Sequence, residues 1–584
     1  MTAEAANRAN DSILAGLMRR CNVTNLAVDH NAERLIMFNA VVSVVFLALG
    51  GIMALLIALT RWEAVHLLNA DWYYRVTGAH GAAMLIFWIL FFEVAGLIFG
   101  VSVILNRRLL WPKAWWTAFG IMFVSALTLL GIMLSGEATV MFTAYPPLQA
   151  TSWFYLFMIL FAVGALIAVI MFFIELVNAR YRGEVGPLPL FTFAMLAAAV
   201  LALWTLVSGA AAFIPTYLWS IGVLGHVDAG VYRLLFWGFG HGAQQINLVA
   251  MVGVWYVLAA LTVGARPVNE GVSRLAFLLI ILFIHMGAIH HILVDPGFSE
   301  LSRAVNTSYF IYGATLGSMI HALSIPAAVE MAQRRKGFAS GIFTWLKKAP
   351  WKEPGFSSLV LSFWLFGVMG GISGVIMGTV QVNMIQHNTL IVPAHFHMTV
   401  VAGTTLAFMG LSYYLIPLIF RRDHVFPGMA KVQPYVFAAG MTIWGLGTGF
   451  AGHAGMSRRH WDSTFGDMPL ATDIFQNAQI DISLVGLGLG ALIAGVGGAM
   501  YVINAVATVF TGKRTDTPHL PGIDPDALRP ADPAEREAAL HGHDHKRGFE
   551  FPGTLILVFA FLVLFMILYA TSWFELSSVN WTIE

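Results

Sequence analysis

Long apolar runs, separated by short polar segments, follow one another along almost the whole chain. A run of about 20 apolar residues crosses the hydrocarbon core of a bilayer as an α-helix. Such runs predict thirteen transmembrane spans, numbered I to XIII, near residues 35–60, 80–104, 114–134, 152–177, 189–214, 232–264, 274–293, 306–331, 357–381, 391–418, 432–453, 482–510 and 553–575. The pattern therefore predicts an all-α fold, a polytopic membrane helical bundle of about 13 transmembrane helices.

Polar segments divide the chain into four parts. Residues 1–34 form an N-terminal segment without the apolar core of a secretory signal. A twelve-helix core is expected over 35–510, followed by a Pro-rich, loosely ordered hydrophilic loop over 511–552. Residues 553–584 add one C-terminal transmembrane helix, which packs against the bundle or against a partner subunit.

Composition and charge agree with a membrane location and give an orientation. Hydrophobic residues make up 58% of the chain and charged residues 11%, whereas soluble domains have roughly 25% charged residues. Because Lys and Arg accumulate on the cytoplasmic side, the N-terminus is expected in the cytoplasm. That placement leaves only six of the 32 basic residues outside: Arg61, Arg75, Arg233, Arg303, Arg458 and Arg459. The net charge of +1 argues neither for nor against a nucleic-acid partner, and the lack of a groove-binding motif predicts none.

Six histidines interrupt the apolar runs at one depth. Ionisable residues inside a membrane are functional candidates by default, although a single buried histidine is about as often hydrogen-bonded within the bundle. All six fall in the outer third of four spans that alternate in direction: His80 in span II, His241 in span VI, His290 and His291 at the end of span VII, and His395 and His397 in span X. This common level favours metal centres over isolated structural histidines.

The spacing of the histidines suggests how they are shared. At about 100° per residue, His395 and His397 leave one helix in nearly opposite directions and can serve two centres. His290 and His291 splay from a helix end, which suits two ligands of one copper or non-haem iron, with His241 as the third. His80 and His397 can clamp one haem, which leaves a single axial ligand, His395, for a second. A non-catalytic haem carrier or sensor would leave the three-histidine site without a purpose. A transporter is disfavoured because paired intramembrane charges are absent from the predicted spans.

Cys21 is the only cysteine of the chain. A disulfide framework, an iron–sulfur cluster and a copper centre built on two thiolates are therefore excluded within this chain. Electrons must arrive from another polypeptide.

In order along the chain, these motifs resemble subunit I of the haem–copper oxidoreductase superfamily. The resemblance rests on Thr77-Gly-Ala-His80, Phe239-Gly-His241, His290-His291, His395-Phe-His397 and Gly455-Met-Ser-Arg458-Arg459. Thirteen spans and His387-Asn-Thr before the His395 motif resemble the B-family, or ba-type, branch. The resemblance implies a low-spin haem on His80 and His397, a high-spin haem on His395, and haem propionates at Arg458 and Arg459.

Gln245 departs from the pattern of the oxygen reductases. These enzymes carry a tyrosine four residues after the span VI histidine, cross-linked to a copper ligand, or supply it from span VII; residues 274–293 contain no tyrosine. A phenol can give up an electron and a proton, which cleavage of O₂ requires, whereas forming N₂O from two NO takes only two electrons. Glutamine cannot be oxidised but can hydrogen-bond a hyponitrite-like intermediate. We therefore expect an oxidase-related nitric oxide reductase, with a cytochrome c oxidase that reduces O₂ and translocates protons as the alternative.

The resemblance also implies partners and a location. It implies a prokaryotic plasma membrane, a subunit II with a cupredoxin or cytochrome c domain, and cytochrome c or a cupredoxin as electron donor. Spans VI and VII offer no glutamate beside the three histidines, so copper is favoured over non-haem iron.

Two features below the histidines are candidates for proton transfer. Tyr256 lies on the same helical face as Gln245, about 16 Å deeper, and with Thr315 and Ser318 it could lead protons from the inner side. The alternatives are an interface aromatic and hydroxyls bonded to their own helix. Glu93, about 20 Å below His80, is either functional or a locally paired structural acid.

Overall fold

The computed structural model describes residues 3–141, 143–284, 288–462, 478–520 and 551–578. Fourteen helices of these ranges are labelled in chain order: α1 Ala3–Leu14, α2 His30–Arg61, α3 Ala70–Val103, α4 Pro112–Ser135, α5 Ser152–Tyr181, α6 Leu190–Ser220, α7 Ala229–Val263, α8 Glu270–Ile284, α9 Glu300–Arg335, α10 Pro354–Met377, α11 Ile391–Phe420, α12 Pro427–His453, α13 Ala478–Thr511 and α14 Pro552–Ser578. Short helices add Ala288–His291, Thr344–Lys347 and Val380–Gln386.

Helices α2 to α14 correspond in order to the thirteen predicted spans. Within the described residues, eleven of them are long and apolar enough to cross a membrane. Helix α8 has only 15 residues there, and α12 is rich in glycine and therefore less apolar. The predicted class, an all-α polytopic membrane bundle, is confirmed.

The short N-terminal segment marks one face of the bundle. Strands β1 (Met18–Arg20) and β2 (Ala27–Asp29) pair antiparallel, and the Asp29 carboxylate caps α2 by accepting from the Ala32 N–H at 3.0 Å. The Ala27 N–H donates to Asn106, just after α3, at 2.7 Å. We call this side the N-terminal face, and the side reached by the end of α2 the opposite face.

Glycines allow a close helix contact between α12 and α13. A Cβ on Gly440 would lie 2.2 Å from the Ala494 nitrogen, and one on Gly490 would lie 2.3 Å from the Trp444 nitrogen. Small residues allow two backbones to approach in this way inside a membrane. The contact fixes Trp444, whose ring lies 4.4 Å from the ring of His397 on the central, largely buried helix α11.

Candidate metal centres

His80 on α3 and His397 on α11 face each other across a gap. Their ring centroids are 6.2 Å apart and their planes differ by 12°. Two metal–imidazole bonds of about 2 Å, with about 1 Å more from each nitrogen to its ring centre, require a separation of about 6 Å. The gap therefore fits one metal ion held between two axial imidazoles, as in a bis-histidine haem.

Backbone carbonyls orient both rings of this pair. The Nδ1 atom of His80 lies 3.0 Å from the Gly50 carbonyl oxygen, and that of His397 lies 2.7 Å from the Pro393 carbonyl oxygen. A carbonyl partner fixes the proton on Nδ1 and leaves Nε2 for a metal. Helix α2 approaches closely at Gly50, where a Cβ would lie 2.4 Å from the Met84 sulfur.

His395 faces the other side of α11. Its Nδ1 atom lies 3.0 Å from the Gly370 carbonyl oxygen and 3.2 Å from the Ser373 hydroxyl, both on α10. A Cβ on Gly374 would lie 2.6 Å from the His395 ring, so α10 also packs closely here. The opposite directions predicted for His395 and His397 are thus found.

A cavity of about 770 Å³ joins His395 to the three-histidine cluster. Its size falls within the range of cofactor sites, about 300–1,000 Å³. His241, His290, His291 and His395 all line it. The cavity therefore has room for a cofactor with one axial histidine beneath a second metal position.

The second metal position lies between His241, His290 and His291. One possible ligand atom from each lies within 4.8 Å of the others, and His241 Nδ1 is 2.8 Å from His291 Nε2. Three converging imidazoles with no carboxylate in the cluster suit copper. The Trp237 ring stacks on His291 at 4.0 Å with an angle of 4°, and its N–H donates to the Tyr145 hydroxyl at 2.6 Å.

The Gln245 side chain lies against the far nitrogen of His241. Gln245 Nε2 is 3.3 Å from His241 Nε2, and Gln245 Oε1 is buried with no hydrogen-bond partner among the described residues. A metal bound at Nδ1 requires the proton on Nε2, and a half-turn of the amide then presents Oε1 to accept it. The described lining of the large cavity contains one tyrosine, Tyr312, and its side chain is substantially exposed.

Three arginines, Arg233, Arg458 and Arg459, lie close together near the cavity, towards the opposite face. Burial, together with Arg459 and Arg233, lowers the pKa of Arg458 to about 9, and Arg458 also lines the cavity. Its Nε atom is buried without a partner among the described residues. Burial and the same three arginines lower the pKa of His387 to about 4. Since a guanidinium keeps its proton, such a cluster calls for an anion, and carboxylates of a bound haem meet that need.

The predicted proton route is only partly connected in the structure. The Tyr256 hydroxyl lies 3.0 Å from the Ser273 hydroxyl and 3.1 Å from His321 Nδ1, two partners that the sequence analysis did not assign to it. Thr315 and Ser318 line the large cavity, but their hydroxyls bond back to carbonyls of their own helix. His321 follows Ser318 by three residues, as Ser318 follows Thr315, and this shared helical spacing is the sequence signal that could have found it.

Three local features differ from the sequence predictions or were missed. His290 and His291 lie in a 3₁₀ turn, Ala288–His291, and not at an α-helix end, so their directions do not follow the 100° rule. Helix α11 becomes π-helical from His397 to Thr404, a distortion common at functional sites. The sequence analysis assigned no role to Trp237 or Trp444, because stacking on a histidine of another helix leaves no pattern in one sequence. Two further groups of histidines, His285 near the end of span VII and the His541–His545 stretch of the hydrophilic loop, lie outside the described residues.

A polytopic helical bundle with a bis-histidine gap, an axial histidine and a three-histidine cluster defines a haem–copper respiratory membrane protein. The sequence model for the family described as Cytochrome C and Quinol oxidase polypeptide I matches residues 34–487. The chain belongs to this family, and its cofactors are accordingly a low-spin haem, a high-spin haem and copper.

Individual relatives agree with this assignment. The chain is 30% identical to cytochrome c oxidase subunit 1 of Thermus thermophilus over 400 residues, which cover 66% of this chain and 69% of the relative. It is 25% identical to the Bacillus subtilis protein of the same name, over 74% of this chain and 68% of that one. A solved structure of a heme-copper terminal oxidase dimer shares the fold, with a TM-score of 0.78 and 24% identity over 95% of this chain and 94% of the other. The names of the relatives favour the oxidase alternative over the expected NO reductase.

Proposed function

We propose that this chain is the catalytic subunit of a respiratory terminal oxidase that reduces O₂ to water. The proposal rests on two observations. The chain matches the family model, and His395 and His397, two residues apart on α11, join the two proposed haem positions through one helix. In this proposal His80 and His397 hold the low-spin haem, His395 holds the high-spin haem, and the three-histidine cluster holds copper. The haems and copper supply electron transfer and a place for the gas to bind.

The protein's own residues orient and insulate this chemistry. The carbonyls of Gly50, Pro393 and Gly370 fix the ring tautomers, so each Nε2 stays available without rearrangement. Arg458 and Arg459 would hold the carboxylates of the haems. With its amide turned so that Oε1 faces His241, Gln245 accepts a hydrogen bond from the Nε2–H and thereby keeps that ring as a neutral ligand. Tyr256, with Thr315 and Ser318 above it, delivers protons from the N-terminal face.

Reduction of O₂ needs an oxidisable side chain where relatives use a tyrosine. Trp237 and Tyr145 are suited to that role, because Trp237 stacks on His291 and passes a hydrogen bond to the Tyr145 hydroxyl. The Arg233 guanidinium lies 4.8 Å from the centre of the Tyr145 ring. The pair can give up an electron from the rings and a proton from the phenol, so the enzyme does not depend on a tyrosine at position 245.

NO reduction to N₂O is the second candidate, and one observation favours it. Gln245 occupies the contact to His241 Nε2 with an amide, which can donate hydrogen bonds but cannot be oxidised. Two electrons suffice for that reaction, so the Trp237–Tyr145 pair would then be dispensable.

The proposed complex contains more than this chain. A subunit II with a cupredoxin or cytochrome c domain delivers electrons from cytochrome c or a small cupredoxin, because this chain holds no thiolate copper centre. The complex lies in a prokaryotic plasma membrane. Its N-terminal face is on the cytoplasmic side, and the three-histidine cluster is near the outer surface.

Measurements on one purified complex can distinguish O₂ reduction from NO reduction. We expect O₂ consumption well above N₂O formation, each measured with the same reduced donor. Tyr145→Phe should lower O₂ reduction at least tenfold, about 1.4 kcal/mol in the barrier, and leave NO reduction unchanged. The control Tyr309→Phe changes an exposed tyrosine outside the cavity lining. Faster N₂O formation than O₂ consumption, with Tyr145→Phe silent in both, would assign the enzyme to NO.

A further inference from the structure

Glu93 on α3 is a carboxylic acid buried far from the metal positions. Only 5% of the residue is exposed, and neither carboxylate oxygen has a hydrogen-bond partner among the described residues. The locally paired alternative that the sequence left open is therefore not found there. An unpaired carboxylate in an apolar interior is so costly that such a group is held neutral or is solvated by water.

A cavity beside Glu93 offers that solvation. It has a volume of about 50 Å³, and about 10–15 Å³ of such volume holds one water molecule. Besides Glu93, its polar lining residues are Ser43, Ser412 and Tyr501, from helices α2, α11 and α13. A water there therefore finds the two to four polar partners that an ordered buried water needs.

Polar residues continue from this cavity to the N-terminal face along α13. Tyr501 and Ser412 line the same cavity as Glu93. One turn further along α13 is Asn504, fully buried, whose side-chain nitrogen has no partner among the described residues. The Thr508 hydroxyl follows, 3.4 Å from the Asn504 side-chain oxygen and 3.4 Å from Nδ1 of His424. His424 lies in the loop between α11 and α12 and is partly exposed.

Aromatic rings close the cavity on its other side. Phe92 and Phe408 both line it and stack at 4.1 Å with an angle of 10°. Beyond them, the Trp88 N–H donates to the Thr405 hydroxyl at 3.1 Å. The polar track thus reaches Glu93 from the N-terminal face and stops below the haem positions, on helices other than those that carry Tyr256 and His321.

We propose that Glu93 is a proton-binding site, supplied with protons from the N-terminal face through hydrated side chains of His424, Thr508, Asn504, Tyr501 and Ser412. A proton from water enters this track and binds a carboxylate oxygen of Glu93, giving a neutral carboxylic acid; no electron moves. Glu93 thus holds a proton at the end of a proton path that is separate from the route through Tyr256; we call this path the Glu93 branch. The proposal holds whichever gas the enzyme reduces.

Infrared spectroscopy of the lipid-reconstituted complex tests the proposal directly. We expect a protonated carboxyl C=O band that shifts on transfer to D₂O, disappears in Glu93→Gln and persists, displaced, in Glu93→Asp. Glu33→Gln is the matched control, because Glu33 is also buried but pairs with the Arg19 guanidinium at 2.9 and 3.1 Å. That change should leave the band intact. Haem absorption spectra of each variant report whether it has folded.

The branch is tested by the rate of the deuterium shift. Ser412→Ala and Tyr501→Phe should slow it severalfold, whereas Ser318→Ala, on the other route, should not change it. A C=O band insensitive to Glu93→Gln would overturn the proton-binding site. Exchange that is equally fast in the Ser412, Tyr501 and Ser318 variants would overturn the branch.

Discussion

Each histidine of the two proposed haem positions is oriented by a carbonyl from a neighbouring turn or helix. His80 and His395 take that partner from other helices, at Gly50 and Gly370, and His397 takes it from its own helix, at Pro393. A hydrogen-bond partner of this kind fixes the orientation of the histidine ring and tunes the properties of the metal that the ring binds. The glycines that supply these carbonyls, Gly50 and Gly370, therefore help to define the haem positions together with the histidines.

Changing single histidines should separate the centres. We expect His397→Ala to remove the low-spin haem absorption and leave the high-spin signal, because only the gap to His80 loses a ligand. His241→Ala should retain both haems and abolish turnover, since it removes one of three ligands of the other metal. Haem and copper analysis with optical spectra checks both. His226→Ala, in an exposed loop, is the control, and haem loss in His241→Ala would contradict the assignment.

Gly50→Ala should disturb the low-spin position without touching a ligand. The added Cβ would lie 2.4 Å from the Met84 sulfur and 2.6 Å from its Cγ, so the Met84 side chain is pushed aside, and any overlap that it does not relieve moves α2 and the Gly50 carbonyl relative to His80. Overpacking of this kind costs about 1–3 kcal/mol. We expect a lower melting temperature and a shifted reduction potential of the low-spin haem. Gly51→Ala meets nothing within 4 Å and should leave both unchanged; equal behaviour of the two variants would contradict the account.

At the scale of elements, π-helical and 3₁₀ turns place side chains where regular helices would not. Helix α3 is π-helical at Ala83–Phe87, shortly after His80, and α10 is π-helical at Trp364–Gly370, ending at the carbonyl that orients His395. Such segments rotate the following turn relative to the preceding one. Each proposed haem ligand thus lies beside a local departure from α-helical geometry.

The α12–α13 contact supports the proposed low-spin haem position by holding Trp444 against His397. In Gly490→Ala the new Cβ would meet the Trp444 backbone nitrogen at 2.3 Å, and backbone cannot yield as a flexible side chain does. We expect a loss of stability of about 1–3 kcal/mol or more, and altered low-spin haem spectra because Trp444 packs on His397. Thermal unfolding in detergent and optical spectra measure the two effects. Gly498→Ala, on the same helix with no atom within 4 Å, is the control, and a matching loss there would refute the close-contact explanation.

At the scale of the whole molecule, α14 closes the wall of the large cavity. Leu557, Phe561 and Phe565 of α14 line it, while much of the rest of the helix faces outwards. Its start is held by Glu330 of α9, a fully buried carboxylate that accepts from the Gly553 N–H at 3.0 Å and the Thr554 N–H at 2.6 Å. A negative charge at a helix N-terminus is favourable there.

Glu330→Ala should therefore release α14. The change leaves two buried N–H groups unsatisfied, at about 1–3 kcal/mol each. It also removes one partner of Arg334, which keeps the carbonyls of Ala339, Gly341 and Ile342. We expect faster amide hydrogen exchange in the first turns of α14, measured by mass spectrometry. Glu300→Ala breaks an exposed pair with Arg303 and should not change that exchange. Unchanged protection of α14 in Glu330→Ala would show that the helix is held by its apolar face alone.

The sequence by itself determined the helices, the membrane class and the residues proposed for the metal centres. Hydropathy and helical spacing are local properties, and the depth of a histidine follows from its place in a span, so His80 and His397 could be set at one level without coordinates. The oxidase resemblance rests on the same local motifs. Gln245 was recognised as a departure for the same reason.

Only the tertiary structure decided which side chains meet. The parallel rings of His80 and His397, the contact of Gln245 with His241 Nε2, and the stacking of Trp237 on His291 all join different turns or helices. Glu93 was equally compatible with a paired and an unpaired acid, since its surroundings come from five other helices. Contacts across a bundle depend on rotation and close approach of whole helices, set by glycines such as Gly50 and Gly490, and one sequence does not encode those quantities in any local pattern.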